Sequence, residues 1–277
     1  MTIRDALDLL RRHSQDPAGS RLEAQWLLMR VLHVETSHLY AYPEQELTPE
    51  QIAQVEAYAV RLGLGEPVAY ILGSVGFYGR EFIVSPAVLI PRPETEHLIE
   101  AALEFAKHTP TLTIADIGTG SGIIPVTLAA HLTQAFVHAV DISKDALTIA
   151  RQNAVRHGVN ITFYQGSLAD PLIANGVRVD LLCANLPYIP ADDVPTLAVS
   201  RYEPTLALDG GPDGLCLIES LLKTVPEVCM QNAMILLEIG SGQGEAVRAM
   251  ADSLFAPRAI DIIYDYAGHD RVVKIQR

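Results

Sequence analysis

The sequence predicts an α/β protein in which an open, mostly parallel sheet of seven strands carries helices on both faces. Strand-like and helix-like segments alternate with short loops after residue 110, which is typical of such a sheet. Before them, apolar residues recur at helical spacing up to about Leu64, and short β-prone runs follow. We therefore predict a helical bundle over residues 1–72, a β-hairpin connector over 73–93 and the sheet domain over 94–277.

Composition limits the class of protein. A chain of 277 residues with 49% hydrophobic residues can bury a substantial core, in one large domain or two smaller ones. Its 33 acidic and 20 basic residues give a formal charge of -13, which repels a phosphate backbone unless basic residues gather locally. Arg11-Arg12 is the only adjacent basic pair. Nucleic acid is therefore a disfavoured, though not excluded, partner.

The cysteines and the apolar segments predict a protein without a metal site or a membrane anchor. The three cysteines lie far apart, without the paired spacing of a zinc or dithiol site, and are expected to be small buried apolar residues. No signal-peptide pattern is visible, and no uncharged apolar stretch reaches the roughly 20 residues that span a bilayer. We therefore expect a cytoplasmic protein. The oligomeric state stays open, with a monomer as the default.

Helix signals organise the N-terminal bundle. Ser20 with Glu23, and Thr48 with Gln51, have the spacing of capping boxes at two helix starts. Gly63 supplies a stop for the second of these helices. Such a bundle either adds stability alone or recognises a partner, and the residues leave both readings open.

The connector combines three short β-prone runs, Val75–Tyr78, Phe82–Val84 and Val88–Ile90, with glycine and proline between them. They predict a hairpin. After Glu94, apolar residues at helical spacing up to Phe105 predict the helix that opens the second domain.

The remaining elements alternate. Strands are predicted at residues 112–117, 135–140, 161–165, 179–184, 233–239, 260–264 and 272–275. Helices are predicted at residues 121–131, 144–157, 215–225 and 244–253, with Ser143 capping the second of them. The last two strands are close enough in sequence to pair as an antiparallel hairpin at one edge of the sheet.

A glycine-rich turn follows the first strand of the sheet and predicts a nucleoside-binding site. The turn reads Gly118-Thr119-Gly120-Ser121-Gly122. Its glycines are one residue closer together than the G-x-G-x-x-G of dinucleotide folds, which favours S-adenosylmethionine over a nicotinamide cofactor. Ligands of such sheets lie beyond the carboxyl ends of the strands.

Two aspartates accompany that turn. Asp141 ends the next strand, where a carboxylate accepts hydrogen bonds from ribose hydroxyls; its alternative role is to cap the following helix. Asp116, inside the first strand, either faces the ammonium of the methionine moiety or bonds to amides of the turn.

A second motif, Asn185-Leu186-Pro187-Tyr188, ends the fourth strand of the sheet and predicts an acceptor site. The Asn185 side-chain oxygen and the Leu186 backbone carbonyl can accept both hydrogens of a planar NH2 group and so aim its nitrogen. Tyr188 would stack on the flat acceptor, and Pro187 would stiffen the turn between them. The alternative is a structural turn with Tyr188 in the core.

Beyond these two motifs, several strings occur in a fixed order along the chain. They are Glu66 to Gly73, Phe77 to Phe82, Val88 to Glu96, Tyr202 to Leu215, Glu238 to Gly240 with Gln243, and Gly268 to Arg271. With them the chain resembles class I S-adenosylmethionine-dependent methyltransferases, and among these the bacterial peptide chain release factor glutamine N5-methyltransferases. Ile90-Pro91-Arg92-Pro93-Glu94-Thr95-Glu96 is the most specific string.

The resemblance implies a seven-stranded methyltransferase sheet and methylation of the glutamine side-chain amide in the Gly-Gly-Gln loop of class I release factors. The resemblance also implies that Gly118 to Gly122 and Asp141 bind the cofactor, with Leu168 as an apolar neighbour. Asn185 to Tyr188 bind the glutamine, with Asn185 and Tyr188 in the catalytic role and Asn185 also near the cofactor. The N-terminal bundle then helps to hold the release factor.

The chain departs from the family's pattern at two positions. Leu186 stands where proline is usual; a backbone carbonyl can still serve there, with some loss of rigidity. Gly166-Ser167-Leu168 replaces the usual Gly-Asp pair, which leaves the adenine contacts open. The alternatives are an adenine N6-methyltransferase acting on DNA or RNA, or a non-catalytic module that binds the release factor.

Overall fold

Two units make up the chain in the computed structural model, Met1–Ser74 and Val75–Arg277, and the structure describes residues 1–107, 109 and 111–277. The helices of the first unit are α1 (Ile3–His13), α2 (Ser20–Leu32), α3 (Thr36–Ala41), α4 (Pro49–Gly63) and α5 (Val68–Leu72). Their apolar faces enclose one core, which includes the fully buried Leu10, Leu28 and Val55. Because its core is built from its own residues, this unit is a bundle in its own right.

Only one of the two predicted capping boxes is present. Thr48 accepts a hydrogen bond from the Gln51 backbone N–H, and the Gln51 side chain accepts one from the Thr48 N–H. The box at Ser20 was wrong, because Ser20 is already inside α2 and Glu23 instead accepts a hydrogen bond from the Ser14 hydroxyl. A serine three residues before a glutamate therefore marked the right helix but not its cap.

The connector contains the predicted hairpin, with strands β1 (Ser74–Phe77) and β2 (Arg80–Ile83). Its two-residue turn, Tyr78-Gly79, has positive φ at both positions, as a type I′ turn requires. The third β-prone run, Val88–Ile90, is not a strand; it lies in a turn and coil segment with Val88 and Ile90 buried. The predicted hairpin therefore uses the first two β-prone runs, and the third is buried as coil.

The predicted seven-stranded sheet is confirmed. Its strands are β3 (Thr113–Ile117), β4 (Phe136–Asp141), β5 (Thr162–Gln165), β6 (Val179–Asn185), β7 (Cys229–Glu238), β8 (Ala259–Tyr264) and β9 (Asp270–Gln276). They are arranged in the order β5-β4-β3-β6-β7-β9-β8. The first five are parallel, whereas β9 pairs antiparallel with both β7 and β8. The C-terminal hairpin therefore forms one edge, as predicted.

Helices cover both faces of this sheet. They are α6 (Thr95–Ala106), α7 (Ile123–His131), α8 (Lys144–Arg156), α9 (Asp170–Ala174), α10 (Cys216–Val228) and α11 (Gly244–Phe255). Successive residues of β6 show the division, since Leu181 packs in the core with α6 and α7, whereas Leu182 packs with α10 and α11. A strand buried on both faces needs such a continuous apolar run.

The sequence reading missed α9 and three short 3₁₀ segments, Val194–Thr196, Ala198–Arg201 and Thr205–Ala207, which are too short for a periodic signal. It was also wrong about one cysteine. Cys183 and Cys229 are buried, but Cys216, the first residue of α10, is exposed. Across the described residues, no helix combines the length and the apolar character that crossing a membrane requires.

Candidate active site

One cleft lies beyond the carboxyl ends of the parallel strands. Its walls contain the glycine turn after β3, Asp141 at the end of β4, Leu168 after β5 and Asn185 at the end of β6. Because parallel strands end at the same edge, residues far apart in sequence meet here. The two predicted motifs therefore share one cleft.

The glycine turn takes a shape that side chains resist. Gly118, Gly120 and Gly122 all have positive φ, between 54° and 82°. A Cβ on Gly118 would lie 2.9 Å from Leu186 Cδ2, so the turn packs directly on the acceptor loop. The N–H groups of Gly118 and Thr119 both donate to the Val140 carbonyl, at 2.9 and 3.0 Å. These bonds fix the turn against β4.

Asp141 holds the glycine turn from the neighbouring strand. Its Oδ2 accepts a hydrogen bond from the Gly120 N–H at 2.8 Å, and its Oδ1 accepts one from the Ser143 N–H at 2.8 Å. Burial raises the pKa of Asp141, and these hydrogen bonds oppose the rise. The helix cap is Ser143, which accepts from the Ala146 N–H, so the alternative role of Asp141 as the N-cap of α8 is wrong.

Apolar side chains that face solvent line the same cleft. Ile142 is 54% exposed and Leu206 is 59% exposed, and both belong to its walls. Leu168, also in the wall, has φ of 45°, a strained value for a leucine. An aspartate at the rim and apolar surface beyond it fit a nucleoside, because the carboxylate suits ribose hydroxyls and the apolar groups suit a flat base. Sequence reading missed Ile142 and Leu206.

Asp116 lies beneath the turn rather than on the cleft. It is fully buried, and neither carboxylate oxygen has a hydrogen-bond partner among the described residues. Burial raises the pKa of Asp116 to about 7, Asp141 adds to the rise, and the Thr119 hydroxyl lowers it without reaching full hydrogen-bond geometry. The predicted bonds to turn amides are therefore absent, and the side chain is not among the groups that line the cleft.

The acceptor loop lies beside the glycine turn. Asn185, Leu186 and Pro187 line the cleft. The Leu186 side chain is only 4% exposed and lies against Gly118, so leucine serves as a packing residue at this position. No donor reaches the Leu186 backbone carbonyl in the described part of the chain, and its use as an acceptor stays a prediction.

Tyr188 is packed more deeply than a stacking role predicts. It is not among the residues that line the cleft, and its ring lies beside Gly240, where an added Cβ would be 3.2 Å from Tyr188 Cδ2. Its backbone carbonyl accepts a hydrogen bond from Gln243 Nε2 at 3.0 Å. Burial and Glu238 raise the pKa of Tyr188 to about 12, so the phenol is neutral. Stacking on the acceptor stays a prediction.

Two buried polar residues stand behind Asn185. Its Nδ2 donates to Thr95 Oγ1 at 3.2 Å, and Thr95 is fully buried at the start of α6. Glu238, 1% exposed, is the register partner of Asn185 across β6 and β7. Burial raises the pKa of Glu238 to about 7, nearby Thr95, Arg271 and Asn185 oppose the rise, and Glu238 Oε2 has no hydrogen-bond partner among the described residues. Neither residue received a role from the sequence, although both lie in strings that set the family resemblance.

Other strings of that resemblance are joined by hydrogen bonds, and one of their residues, Arg92, lines the cleft. The Glu203 carboxylate, 3% exposed, accepts hydrogen bonds from Arg92 at 2.6 Å and from the Ile90 N–H at 3.2 Å. Asp270 accepts from the N–H groups of Gly242 and Gly244, which fixes the start of α11. An acidic residue directly after the apolar run of residues 233–237 was a signal that could have marked Glu238.

Comparison with known families divides the chain at the same place as the fold. Residues 2–73 match the family described as the PrmC N-terminal domain, and residues 114–202 match a methyltransferase domain family. The resemblance to a methyltransferase fold is therefore confirmed. Among solved structures, the hMettl16 catalytic domain in complex with MAT2A 3′UTR hairpin 6 has a TM-score of 0.56 at 14% identity, covering 70% of this chain and 74% of that one.

A second solved structure, a methyltransferase from Pyrococcus furiosus, has a TM-score of 0.51 at 13% identity, covering 80% of this chain and 98% of that one. At these identities the likeness shows the fold alone.

Curated relatives are similar over nearly the whole chain. The release factor glutamine methyltransferase of Moorella thermoacetica is 42% identical, covering 98% of this chain and 97% of the relative. That of Geobacter sulfurreducens is 40% identical over 90% and 88%, and that of Staphylococcus aureus is 36% identical over 100% and 99%. Identity at this level across both units leaves one conclusion: the chain belongs to the release factor glutamine methyltransferase family.

Proposed function

We propose that this chain transfers a methyl group from S-adenosylmethionine to the side-chain amide nitrogen of the glutamine in the Gly-Gly-Gln motif of class I release factors. The observation that carries the proposal is the shared cleft, in which the acceptor loop at Asn185 packs on the glycine turn through Leu186 and Gly118. The relatives' common name supports release factor glutamine as the acceptor.

The glycine turn, Asp141 and Leu168 are the groups that would hold the cofactor. Asp141 offers carboxylate lone pairs to ribose hydroxyls while it keeps the turn in shape through Gly120. Leu168, Ile142 and Leu206 offer apolar surface to adenine. When bound, S-adenosylmethionine supplies the methyl group: the nitrogen–carbon bond forms, the carbon–sulfur bond breaks with its electron pair going to sulfur, and the nitrogen loses one proton to water.

The acceptor loop would orient the glutamine amide. Asn185 Oδ1 and the Leu186 carbonyl accept its two hydrogens, which fixes the plane of the NH2 group and favours charge development on nitrogen. Tyr188, whose phenol is neutral, ends this loop, and its ring lies beside Gly240. Catalysis by this loop is orientation and electrostatics rather than removal of a proton by a strong base.

The test is a methylation reaction with a class I release factor and labelled S-adenosylmethionine. We expect one methyl group, seen by mass spectrometry as one added CH2 on the peptide with the Gly-Gly-Gln motif. A release factor with that glutamine replaced by asparagine is the matched substrate control and should stay unlabelled. Label on nucleic acid alone, in a parallel reaction, would contradict the proposal.

Asn185→Ala separates turnover from cofactor binding. Loss of the side-chain oxygen should abolish methyl transfer, whereas S-adenosylmethionine affinity measured by calorimetry should weaken only modestly. An active Asn185→Ala protein would remove this residue from the mechanism. Wild-type protein that binds the cofactor but never methylates would instead favour the non-catalytic module.

The adenine alternative has less support. The formal charge of -13 disfavours a nucleic-acid substrate, and the likeness to an RNA-bound methyltransferase extends to the fold alone. We also propose that the chain acts as a monomer in the cytoplasm, where its substrate works in translation, without binding nucleic acid or membrane directly. The bundle Met1–Ser74 is proposed to help hold the release factor.

A further inference from the structure

The two ends of the Asn185 side chain differ in hydrogen bonding, whereas the two oxygens of an aspartate are equivalent. A carboxamide accepts hydrogen bonds at its oxygen and donates them at its NH2 group, and the two ends have nearly the same shape. Only the oxygen can accept a hydrogen from the NH2 group of a glutamine. The NH2 group of Asn185 would place donor against donor, so something must fix which end faces the cleft.

A hydrogen bond to Thr95 fixes the orientation of the Asn185 carboxamide. Asn185 Nδ2 donates to Thr95 Oγ1 at 3.2 Å, so the NH2 end is turned toward the buried threonine. Having accepted this hydrogen bond, the Thr95 hydroxyl keeps its own hydrogen to donate onward. Glu238 lies next to Asn185 on the neighbouring strand, both Thr95 and Asn185 are near enough to lower its pKa, and its Oε2 is buried without a hydrogen-bond partner among the described residues. An ionised carboxylate only accepts, so this free oxygen is the group to which the Thr95 hydroxyl can donate, and it would fix the direction of the chain of donors.

We propose that Thr95 and Glu238 are positioning residues that orient the Asn185 carboxamide with its oxygen toward the acceptor amide. The inference rests on the proposed function, because it concerns the residue that aims the glutamine. The proposal also gives a functional role to Thr95, a residue of the Ile90–Glu96 string to which the sequence assigned none.

The arrangement is poised for a dependence on pH. A protonated Glu238 gains an O–H donor, so the direction of the chain is no longer fixed and the NH2 end of Asn185 can face the cleft. Burial, the dominant influence, raises the pKa of Glu238 to about 7. Of the charged groups around it, Glu94 before α6 adds to the rise and Arg271 on β9 opposes it. The Tyr188 phenol nearby is neutral.

The first test is the pH profile of kcat for release-factor methylation at saturating S-adenosylmethionine. Below pH 7 we expect wild-type kcat to fall about tenfold per unit, as for a single essential ionisation. In Glu238→Gln this acid limb should vanish, because the amide does not titrate, and the plateau should be lower, because the amide both donates and accepts. Asp116, whose pKa is also raised to about 7, remains in this variant. An unchanged acid limb would therefore overturn the role of Glu238.

The second test removes only the hydroxyl of Thr95. Thr95→Val keeps the shape of the side chain, and we expect kcat to fall about tenfold to hundredfold while S-adenosylmethionine affinity changes less than about twofold. Thr95→Ser restores the hydroxyl and should restore kcat. Thr127→Val is the matched control, because Thr127 is equally buried, its hydroxyl has no partner among the described residues, and it does not line the cleft.

Two outcomes would overturn the role of Thr95. Wild-type kcat in Thr95→Val would show that the hydroxyl is not needed, and a serine variant as slow as the valine variant would show that only packing matters. Thermal unfolding of each variant identifies a folding defect, for which Thr95→Ser and Glu238→Gln remain the milder probes. Wild-type protein that leaves release factor unmethylated would refute the proposed function instead, so the two failures are distinguishable.

Discussion

Asp141 acts through both oxygens of its side chain. One oxygen accepts from Gly120 and the other from Ser143, so the carboxylate fixes the glycine turn before any ligand arrives. Each oxygen retains a lone pair for a further hydrogen bond. The residue that we propose for ribose binding is thus also the residue that shapes the turn beside it.

Asp141→Ala should weaken S-adenosylmethionine binding for both reasons. Losing a hydrogen bond to a charged group costs roughly 1.5–3 kcal/mol, and the loosened turn adds to the loss. Calorimetric titration measures the change. Asp145→Ala, at an exposed position in the first turn of α8, is the control and should bind normally. Equal affinities of the two variants would leave Asp141 without a role in binding.

Ionisation of Glu238 should lower the free energy of unfolding. Its pKa is about 7 in the folded protein against 4.5 ordinarily, so between these values the folded state holds more protons than the unfolded state. The free energy of unfolding therefore falls as pH rises through this range, by up to about 3 kcal/mol. We expect the neutral Glu238→Gln protein to be more stable than wild type above pH 7, and the difference to shrink toward pH 4.5.

Denaturant unfolding at several pH values checks this expectation. Glu56→Gln, at an exposed position in α4, is the control for the same substitution outside the core. A constant offset between Glu238→Gln and wild type at all pH values would contradict the raised pKa. Greater stability together with slower turnover would mean that this buried charge is retained for function.

At the scale of elements, the site consists of loops that pack against one another. The glycine turn after β3 contacts the loop after β6 through Leu186, and Gln243 before α11 donates to the Tyr188 carbonyl. Gly214 approaches the same carbonyl so closely that an added Cβ would lie 2.2 Å from it. The glycines of these loops therefore serve close packing as well as turn geometry.

Gly118→Ala tests the contact between the two loops. The positive φ alone costs roughly 1 kcal/mol, and the new Cβ would lie 2.9 Å from Leu186 Cδ2, so the acceptor loop must shift. We expect S-adenosylmethionine affinity to fall at least about tenfold, equivalent to about 1.4 kcal/mol. Gly176→Ala is the control: its φ is also positive, but nothing lies within 4 Å of the added Cβ.

The Gly176→Ala protein should lose some stability and keep its affinity. If both alanine variants bind S-adenosylmethionine like wild type, the contact between the loops has no influence on the cofactor site. Calorimetry for affinity and thermal unfolding for stability separate the two effects.

The elements also show where sequence reasoning succeeds. The β3 turn, the end of β4 and the end of β6 were each predicted from a local pattern, because glycine spacing and a polar residue after an apolar strand are local signals. Thr95 and Glu238 were not assigned, because their roles depend on a pairing between strands and on a helix start. The β-prone run Val88–Ile90 is buried at Val88 and Ile90 without being a strand, because β-propensity is local and does not specify a strand to pair with.

At the scale of the whole molecule, two units have separate cores. The apolar cluster of Met1–Ser74 draws only on residues before Ser74, and the clusters on the two faces of the sheet draw only on residues after it. Separate cores allow each unit to fold from its own sequence. The parts that we propose for catalysis all belong to Val75–Arg277.

Removing residues 1–74 should therefore separate cofactor binding from substrate capture. We expect the remaining unit to bind S-adenosylmethionine with wild-type affinity, and its KM for release factor to rise at least about tenfold as contact surface is lost. Calorimetry and steady-state kinetics measure the two quantities. An unchanged KM would assign the bundle to stability rather than to recognition of the release factor.

The sequence by itself determined the alternation of strands and helices, the two cleft motifs and the family. These are properties of local order along the chain: apolar periodicity, glycine spacing and short strings in a fixed sequence. The seven-stranded sheet followed because such alternation buries apolar residues on both faces in few other ways.

The tertiary structure alone decided which polar residues meet. Asn185, Thr95 and Glu238 come from a strand end, a helix start and a second strand. The parallel register of β6 and β7 pairs Asn185 with Glu238, and the start of α6 brings Thr95 within hydrogen-bond distance of Asn185. In the same way it tied Asp141 to Gly120 and left the buried Asp116 carboxylate without a hydrogen bond from any described residue. The pKa of a carboxyl group depends on what surrounds it in space, which the order of residues along the chain does not specify.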